Sequence, residues 1–396
     1  MKGRKDIMNY LKRAWAEVHL DAIAENYRRY KELVGDTEIM CVVKADCYGH
    51  CDRAIVPFLE NELSVKKFAV SNIEEARRLR DSGVTGDILI LGYTPPEAAH
   101  RLCELDIIQA VTELSYAKEL CQNIPEGKKL KVHVAVDTGM TRIGLHNDSI
   151  DGIISDMLKI LSLKGLSVDG MFTHLSVADS GDAADIEYTK KQIGKLMAVK
   201  EKLAECGKAV PCVHYLNSAA GLYHYGESAP KSALARLGII LYGLKPNASL
   251  PVPMELAPAL TLKARVAQVK EIKAGECVSY GRTFTAGRDM KLATIAIGYA
   301  DGYSRLLSGK GEVLINGRRA KITGRICMDQ LMCDVTGIDV KANDVATLIG
   351  RDGNEAITAD ELASLYGTIG YEVVCGISKR VPRVIIRDNV EIDVET

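Results

Sequence analysis

"MCVVKADCYGHC", Met40 to Cys51, sets the reading of the whole chain. An apolar, β-branched run, Val42-Val43, stops on Lys44, and Tyr48, Gly49 and His50 follow directly. The run has the composition of a buried strand. A buried strand that stops on lysine has two readings. One is an ordinary strand end whose ammonium has reached water. The other is a lysine held at the strand's carboxyl end, desolvated and reactive. What the neighbouring strands bring to the same edge decides between them.

Seven more apolar runs follow: "KFAVSN" (67–72), "DILILGY" (87–93), "DIIQAV" (106–111), "KVHVAVDT" (131–138), "VDGMFTHLS" (168–176), "VHYLNS" (213–218) and "LARLGIILYG" (234–243). Between most of them lie stretches of helical period, such as "NIEEARRLRDSG" and "YTKKQIGKLMAVKEKLAECGK", the second ending in a glycine stop signal. Eight strands alternating with helices is the count of a (β/α)8 barrel of the TIM type. A doubly wound open sheet suits five or six strands better and is the second choice. The pattern changes at "LKPNASLPVPMELAP", which holds Pro246, Pro251, Pro253 and Pro258 and suits an ordered linker. Beyond it lie β-rich runs with an Asn316-Gly317 hairpin signal, and one short helix near "TADELASLYG" with Thr358 as its cap. The expected organisation is an α/β barrel over 14–245 and a mostly antiparallel β domain over 246–396, after a basic tail over 1–13.

Composition excludes several classes. The chain has 396 residues and a net charge of −1, with no long block of one sign. That balance gives no support for nucleic acid or an anionic membrane as partner. No run reaches the roughly 18 apolar residues of a membrane span, and the opening "MKGRKDIMNYLKR" lacks the apolar segment of a signal peptide. The 11 cysteines sit mostly in apolar runs, as expected for reduced thiols in a cytoplasmic protein. Cys47, His50 and Cys51 have no second ligand pair at matching spacing, so no metal is expected.

In a barrel, the residues that end the strands face one shared mouth. Here those ends supply Lys44, Asp137 and Arg142 of "DTGMTR", His174, Asn217-Ser218 and Arg236. Two guanidinium groups, an imidazole, a hydroxyl and an amine suit an anionic cofactor and a carboxylate substrate. A lysine in a dry, positively charged pocket loses its proton readily and can form a Schiff base with an aldehyde. Pyridoxal 5'-phosphate (PLP) is the common aldehyde cofactor. Its phosphate would suit the loops after the last two strands, near Ser218 and the backbone of Gly238-Ile239.

Nine segments, "VVKADCYGH", "VDTGMTRIGLH", "THLSVAD", "NSAAG", "LGIILYG", "VSYGRTF", "IGYADGYSR", "GRICMDQ" and "YEVVCGISKRVPR", resemble those of the alanine racemases, in the family's order, from about residue 14 to 387. The resemblance implies a fold-type III PLP enzyme that interconverts L- and D-alanine for peptidoglycan synthesis as a head-to-tail homodimer. It implies that Lys44 carries the cofactor and is one base, and that Tyr280, supplied across the dimer interface, is the other. It assigns Arg142 and Met328 to the substrate carboxylate, and Tyr48, Ser218, Gly238, Ile239 and Tyr371 to the phosphate. Arg236 would face the pyridine nitrogen and His174 would link it towards Tyr280. Asp179, Tyr299, Arg305 and Arg325 would line the access channel. A guanidinium keeps its proton, so the ring nitrogen stays neutral and side reactions are limited.

Two departures from the family pattern stand out. Many members carry a lysine, often carbamylated, two residues before the aspartate of "DTGM", where it braces the carboxylate-binding arginine; this chain has Ala135. Arg142 would then be oriented by something else, such as a bound anion. Asp46, Cys47 and Cys51 stand where asparagine and small residues are common, and a carboxylate at Asp46 would raise the pKa of Lys44 if close. The competing reading is a serine or broad-specificity racemase of the glycopeptide-resistance type. Tyr371 favours alanine, because its bulk crowds a substrate hydroxymethyl.

Overall fold

The computed structural model describes residues 12–226 and 230–395. As far as residue 11, the basic tail lies outside the described residues. Strand β1 (Ala14–His19) opens the described chain. The next eight strands are β2 (Glu38–Val42), β3 (Lys67–Val70), β4 (Asp87–Ile90), β5 (Ile107–Val111), β6 (Leu130–Ala135), β7 (Leu166–Phe172), β8 (Cys212–His214) and β9 (Leu234–Leu237). From β2 to β8 each is hydrogen-bonded to the next in the chain, all parallel, and β9 returns to β2. The seam between β8 and β9 is joined by a bridge from Leu216 to Ala235 and by Arg236 N donating to Leu216 O at 2.9 Å. This is the barrel expected from the eight apolar runs. Its strands are mostly apolar because the barrel interior covers one face and helices the other; all five residues of β5 are buried. Some of the helices between them start on side-chain caps: Asn72 accepts from Glu75 N, and Asp182 from Ala184 N.

The second sheet is built around β10 (Leu260–Ile272), which pairs antiparallel with the strands Met290–Ile295 and Val345–Asp352. Residues 14–19, grouped with the barrel in the sequence reading, belong here instead. β1 pairs antiparallel with β10, Ala14 opposite Ala264, and parallel with Arg383–Arg387, Ala16 opposite Arg383. Long-range pairing of this kind leaves no local sequence signal. The Asn316-Gly317 turn joins Glu312–Ile315 to Arg318–Lys321, both turn residues at positive φ. Thr358 caps the helix Ala359–Tyr366 through its Oγ1, as expected. A second helix, Gly370–Cys375, was not expected, and it presses on the turn after Lys44: a Cβ added to Gly49 would lie 2.5 Å from Val374 O. Arg383 Nε donates to Gly49 O at 3.0 Å. The β domain is thus keyed against the lysine turn.

Among the described residues no helix is long and apolar enough to cross a membrane. All 11 cysteines are free thiols.

Candidate active site

Lys44 lies just past the end of β2, where the backbone changes hand. Ala45, Asp46, Cys47 and Tyr48 all adopt left-handed conformations, with φ of 53–55°. For non-glycine residues this costs about 1–2 kcal/mol each, so the turn persists only because its surroundings hold it. Tyr242 Oη donates to Val42 O at 3.0 Å, and Asp52 N donates to Asp46 Oδ1 at 2.7 Å. The Asp46 carboxylate is therefore spent at the start of the helix Asp52–Leu63. The carboxylate whose charge acts on Lys44 is Glu75, which accepts from Ala45 N at 2.8 Å and Ser71 N at 2.7 Å. In the sequence Glu75 reads only as the first turn of a helix, so its reach to two strand ends is not visible there.

Lys44 opens into a cavity of about 290 Å³, also lined by Ala135, Asp137, Arg142, Thr173 and His174. Burial, then the Arg142 guanidinium, lower the lysine's pKa, opposed by Glu75 and Cys375. His174 is held neutral, down to about 3, by burial and by Arg236, Arg142 and Lys44. Of the two readings of the strand end, the desolvated lysine is the one the structure supports. At the position of the missing family lysine, Ala135 packs in a small apolar cluster with Ala110 and Phe172, with Leu91 against it. Among the described residues no carboxylate pairs with Arg142, which is exposed.

Arg236 is buried, and burial lowers its pKa to about 10. Its Nη1 donates to His214 Nδ1 at 2.8 Å and its Nη2 to Thr173 O at 2.8 Å. His214 Nε2 meets His133 Nδ1 at 3.0 Å. A guanidinium can only donate, so His214 carries its proton on Nε2 and passes a hydrogen bond to His133. The imidazole bonded to Arg236 is therefore His214, which the sequence reading missed. His174 feels the charge of Arg236, with no hydrogen bond between them among the described residues. The signal available was the placement of His133 and His214 within strand runs of the barrel. With Cys212, these histidines form a group of three metal-type donors within 4.8 Å of one another, but both imidazoles are already engaged.

Next to the lysine turn, Gly238 N donates to Ser218 Oγ at 2.8 Å. A Cβ on Gly238 would lie 2.9 Å from Tyr48 Oη and 3.4 Å from Ser218 Oγ, so bare backbone and two hydroxyls share one spot. Ile239, buried, starts the turn that follows. The rings of Tyr48 and Tyr371 lie 6.2 Å apart, and burial raises the pKa of both hydroxyls, keeping them protonated donors. Asp179 lies on this side too, near enough for its charge to act on Tyr371. These hydroxyls and the adjoining backbone form a donor set that fits a phosphate.

Tyr280 and Met328 are elsewhere. They line a separate open hollow of about 540 Å³ on the β domain, with Ser279, Cys327, Asp329 and Gln330, and this hollow shares no residue with the lysine cavity. Tyr280 is 68% exposed and Met328 53%. Arg325 approaches the same turn, 3.0 Å from where a Cβ of Gly281 would be, and Tyr299 N donates to Cys327 O at 3.1 Å. Within one chain, then, the structure gathers Lys44, Arg142 and His174 at one site and Tyr280 and Met328 at another.

Comparison with known proteins identifies the family. The family model for the alanine racemase N-terminal domain matches residues 18–246, and that for the C-terminal domain residues 259–385. An alanine racemase of Clostridium perfringens is 46% identical over 382 residues, covering 95% of this chain and 96% of that protein. One from Clostridium novyi is 42% identical over 389 residues, covering 96% and 97%. Among solved structures, alanine racemase from Bacillus anthracis with bound L-Ala-P superposes with a TM-score of 0.90 at 35% identity, over 98% of each chain. A histidine racemase from Leuconostoc mesenteroides reaches 0.85 at 30% identity, over 95% of this chain and 98% of that one. The chain belongs to the alanine racemase family and is an amino-acid racemase.

Proposed function

We propose that this racemase interconverts L- and D-alanine with PLP, in a homodimer whose active sites are shared between subunits. The observation that carries this reading is the split of the candidate residues: a desolvated lysine in a cationic cavity of the barrel, and an exposed tyrosine on the β domain. Racemisation removes a proton from one face of Cα and returns one to the other, so it needs two bases on opposite sides. Lys44 Nζ serves one face. Its lowered proton affinity leaves more of it as free amine near neutral pH. Tyr280 Oη of a second copy serves the opposite face. Arg142 and the Met328 backbone hold the substrate carboxylate.

Lys44 is the attachment point for PLP, Tyr48, Ser218, Gly238, Ile239 and Tyr371 hold its phosphate, and Arg236, with guanidinium donors to spare beyond its three contacts, faces the ring nitrogen. When bound, the cofactor supplies an aldehyde for the substrate's amino group and a ring that accepts electron density from Cα. His214 and Thr173 O keep the guanidinium in one plane, and neutral His174 adds no further positive charge. The D-alanine made would feed peptidoglycan synthesis in the cytoplasm.

The test is complementation between inactive variants. Lys44→Ala and Tyr280→Phe homodimers should each lose racemisation by several orders of magnitude. Dissociated and re-mixed, they form hybrids with one doubly damaged site and one intact site. Random pairing makes about half the dimers hybrid, so activity should return to about a quarter of wild type. Proven subunit exchange without recovery would refute the shared site. The same assay run on L-serine tests the substrate: a faster rate with L-serine than with L-alanine would favour the broad-specificity reading.

A further inference from the structure

Glu75 has no part in the roles above, yet it is tied to the lysine more directly than any other carboxylate. It is buried, at the third position of the helix Ile73–Asp81. A glutamate there commonly reaches back to the N–H of the capping residue. This one spreads its two oxygens over two strand ends: Oε1 accepts from Ala45 N, beside Lys44, and Oε2 from Ser71 N, beyond β3. Among the described residues it is the only side chain that accepts an N–H from Ala45–Tyr48. Those four left-handed residues need such outside support.

We propose that Glu75 is a positioning residue for Lys44: its carboxylate pins the left-handed turn that follows the lysine to the end of β3. Lys44 is faced by Arg142 from the loop after β6, His174 from the end of β7, Cys375 from the helix Gly370–Cys375, and Glu75 from its own helix. Glu75 is the carboxylate whose charge acts on Lys44; Asp137, which lines the same cavity, accepts from Gly139 N and Thr141 N instead. Arg142 and burial push the proton off the lysine; Glu75 restrains that, so the amine can still be reprotonated in each half of a reversible reaction. The inference rests on Lys44 acting as a base.

The test reads the lysine itself as well as turnover. Competitive acetylation of the full-length chain, stripped of cofactor with hydroxylamine and mapped at Lys44 by mass spectrometry, gives the pH at which this amine becomes reactive. Glu75→Gln removes the charge and presents an amide N–H to one of the two donors. Its Lys44 midpoint should fall by about one pH unit, a tenfold loss of proton affinity. In the holoenzyme, kcat should fall at least about tenfold with a smaller change in KM, and the acid limb of kcat, which reports the lysine once substrate has freed it, should move to lower pH. Glu75→Asp keeps the charge but is one methylene shorter: its midpoint should stay at the wild-type value while kcat falls. A Glu75→Gln midpoint equal to wild type overturns the proposal, as does a Glu75→Asp midpoint displaced as far as that of Glu75→Gln. If Glu75→Gln does not fold, Glu75→Asp decides: wild-type kcat there rules out the pinning role. Racemisation surviving in Lys44→Ala would remove the reading of Lys44, whatever Glu75 does.

Discussion

Gly238 shows how far one missing methyl group can be used. Two hydroxyls, of Tyr48 and Ser218, converge on the place where its Cβ would stand, and its own N–H donates to the serine. Gly238→Ala must push the tyrosine hydroxyl outward from 2.9 Å and crowd the serine. Both are side-chain tips that can move, so the fold should survive while the proposed phosphate cradle is spoiled. Equilibrium dialysis against PLP should show affinity at least about tenfold weaker, a loss of about 1.4 kcal/mol. Wild-type affinity in a folded Gly238→Ala chain would move the phosphate elsewhere. Ala135 shows the reverse case, where an alanine replaces a lysine common in the family. It lies in an apolar cluster, and among the described residues no carboxylate pairs with Arg142.

The lysine turn and the helix Gly370–Cys375 form one mechanical unit. Gly49 has φ of +82° and its absent Cβ points 2.5 Å from the carbonyl of Val374, a backbone atom that cannot swing aside. Gly83 has nearly the same φ, +85°, with nothing within 4 Å. The pair separates backbone strain from collision. Gly83→Ala should cost about 1 kcal/mol, the left-handed penalty alone. Gly49→Ala should cost more than about 2 kcal/mol and lower kcat, because the helix it displaces carries Tyr371. Urea unfolding of both variants measures the difference, and equal costs would mean that the helix yields freely.

Across the whole molecule, the buried histidines make the fold sensitive to acid. Burial lowers His50 and His133 to about 4 and His174 to about 3, and His214 falls well below its ordinary value. A histidine depressed in this way stays neutral in the fold while the unfolded chain takes up a proton. The stability it confers is complete above the unfolded value of 6.5 and is lost as pH falls from there towards the folded value. Each of the four adds a slope of up to about 1.4 kcal/mol per pH unit in that window. The urea midpoint should therefore hold steady above pH 7 and fall steeply from about 6.5 to about 4. A midpoint that stayed level through that range would mean that these imidazoles are not buried neutral.

Much of this molecule is written locally. The eight apolar runs give the barrel strands because each is short, β-branched and bounded by turn residues, and the mouth follows from where the runs end. Lys44, Arg142, His174, Ser218 and Arg236 could be named in advance because strand ends in a barrel share one face. The Asn316-Gly317 turn and the Thr358 cap depend on a few adjacent residues, and both were legible. What escaped depends on contacts between distant segments. β1 joins the second sheet through partners some 250 and 370 positions away. Glu75 and His214 look like ordinary helix and strand residues until folding brings an amide or a guanidinium to them. The turn after Lys44 is left-handed against the intrinsic preference of its residues, since only contacts from distant segments, Glu75 and the helix Gly370–Cys375 among them, can sustain a conformation that each residue alone disfavours.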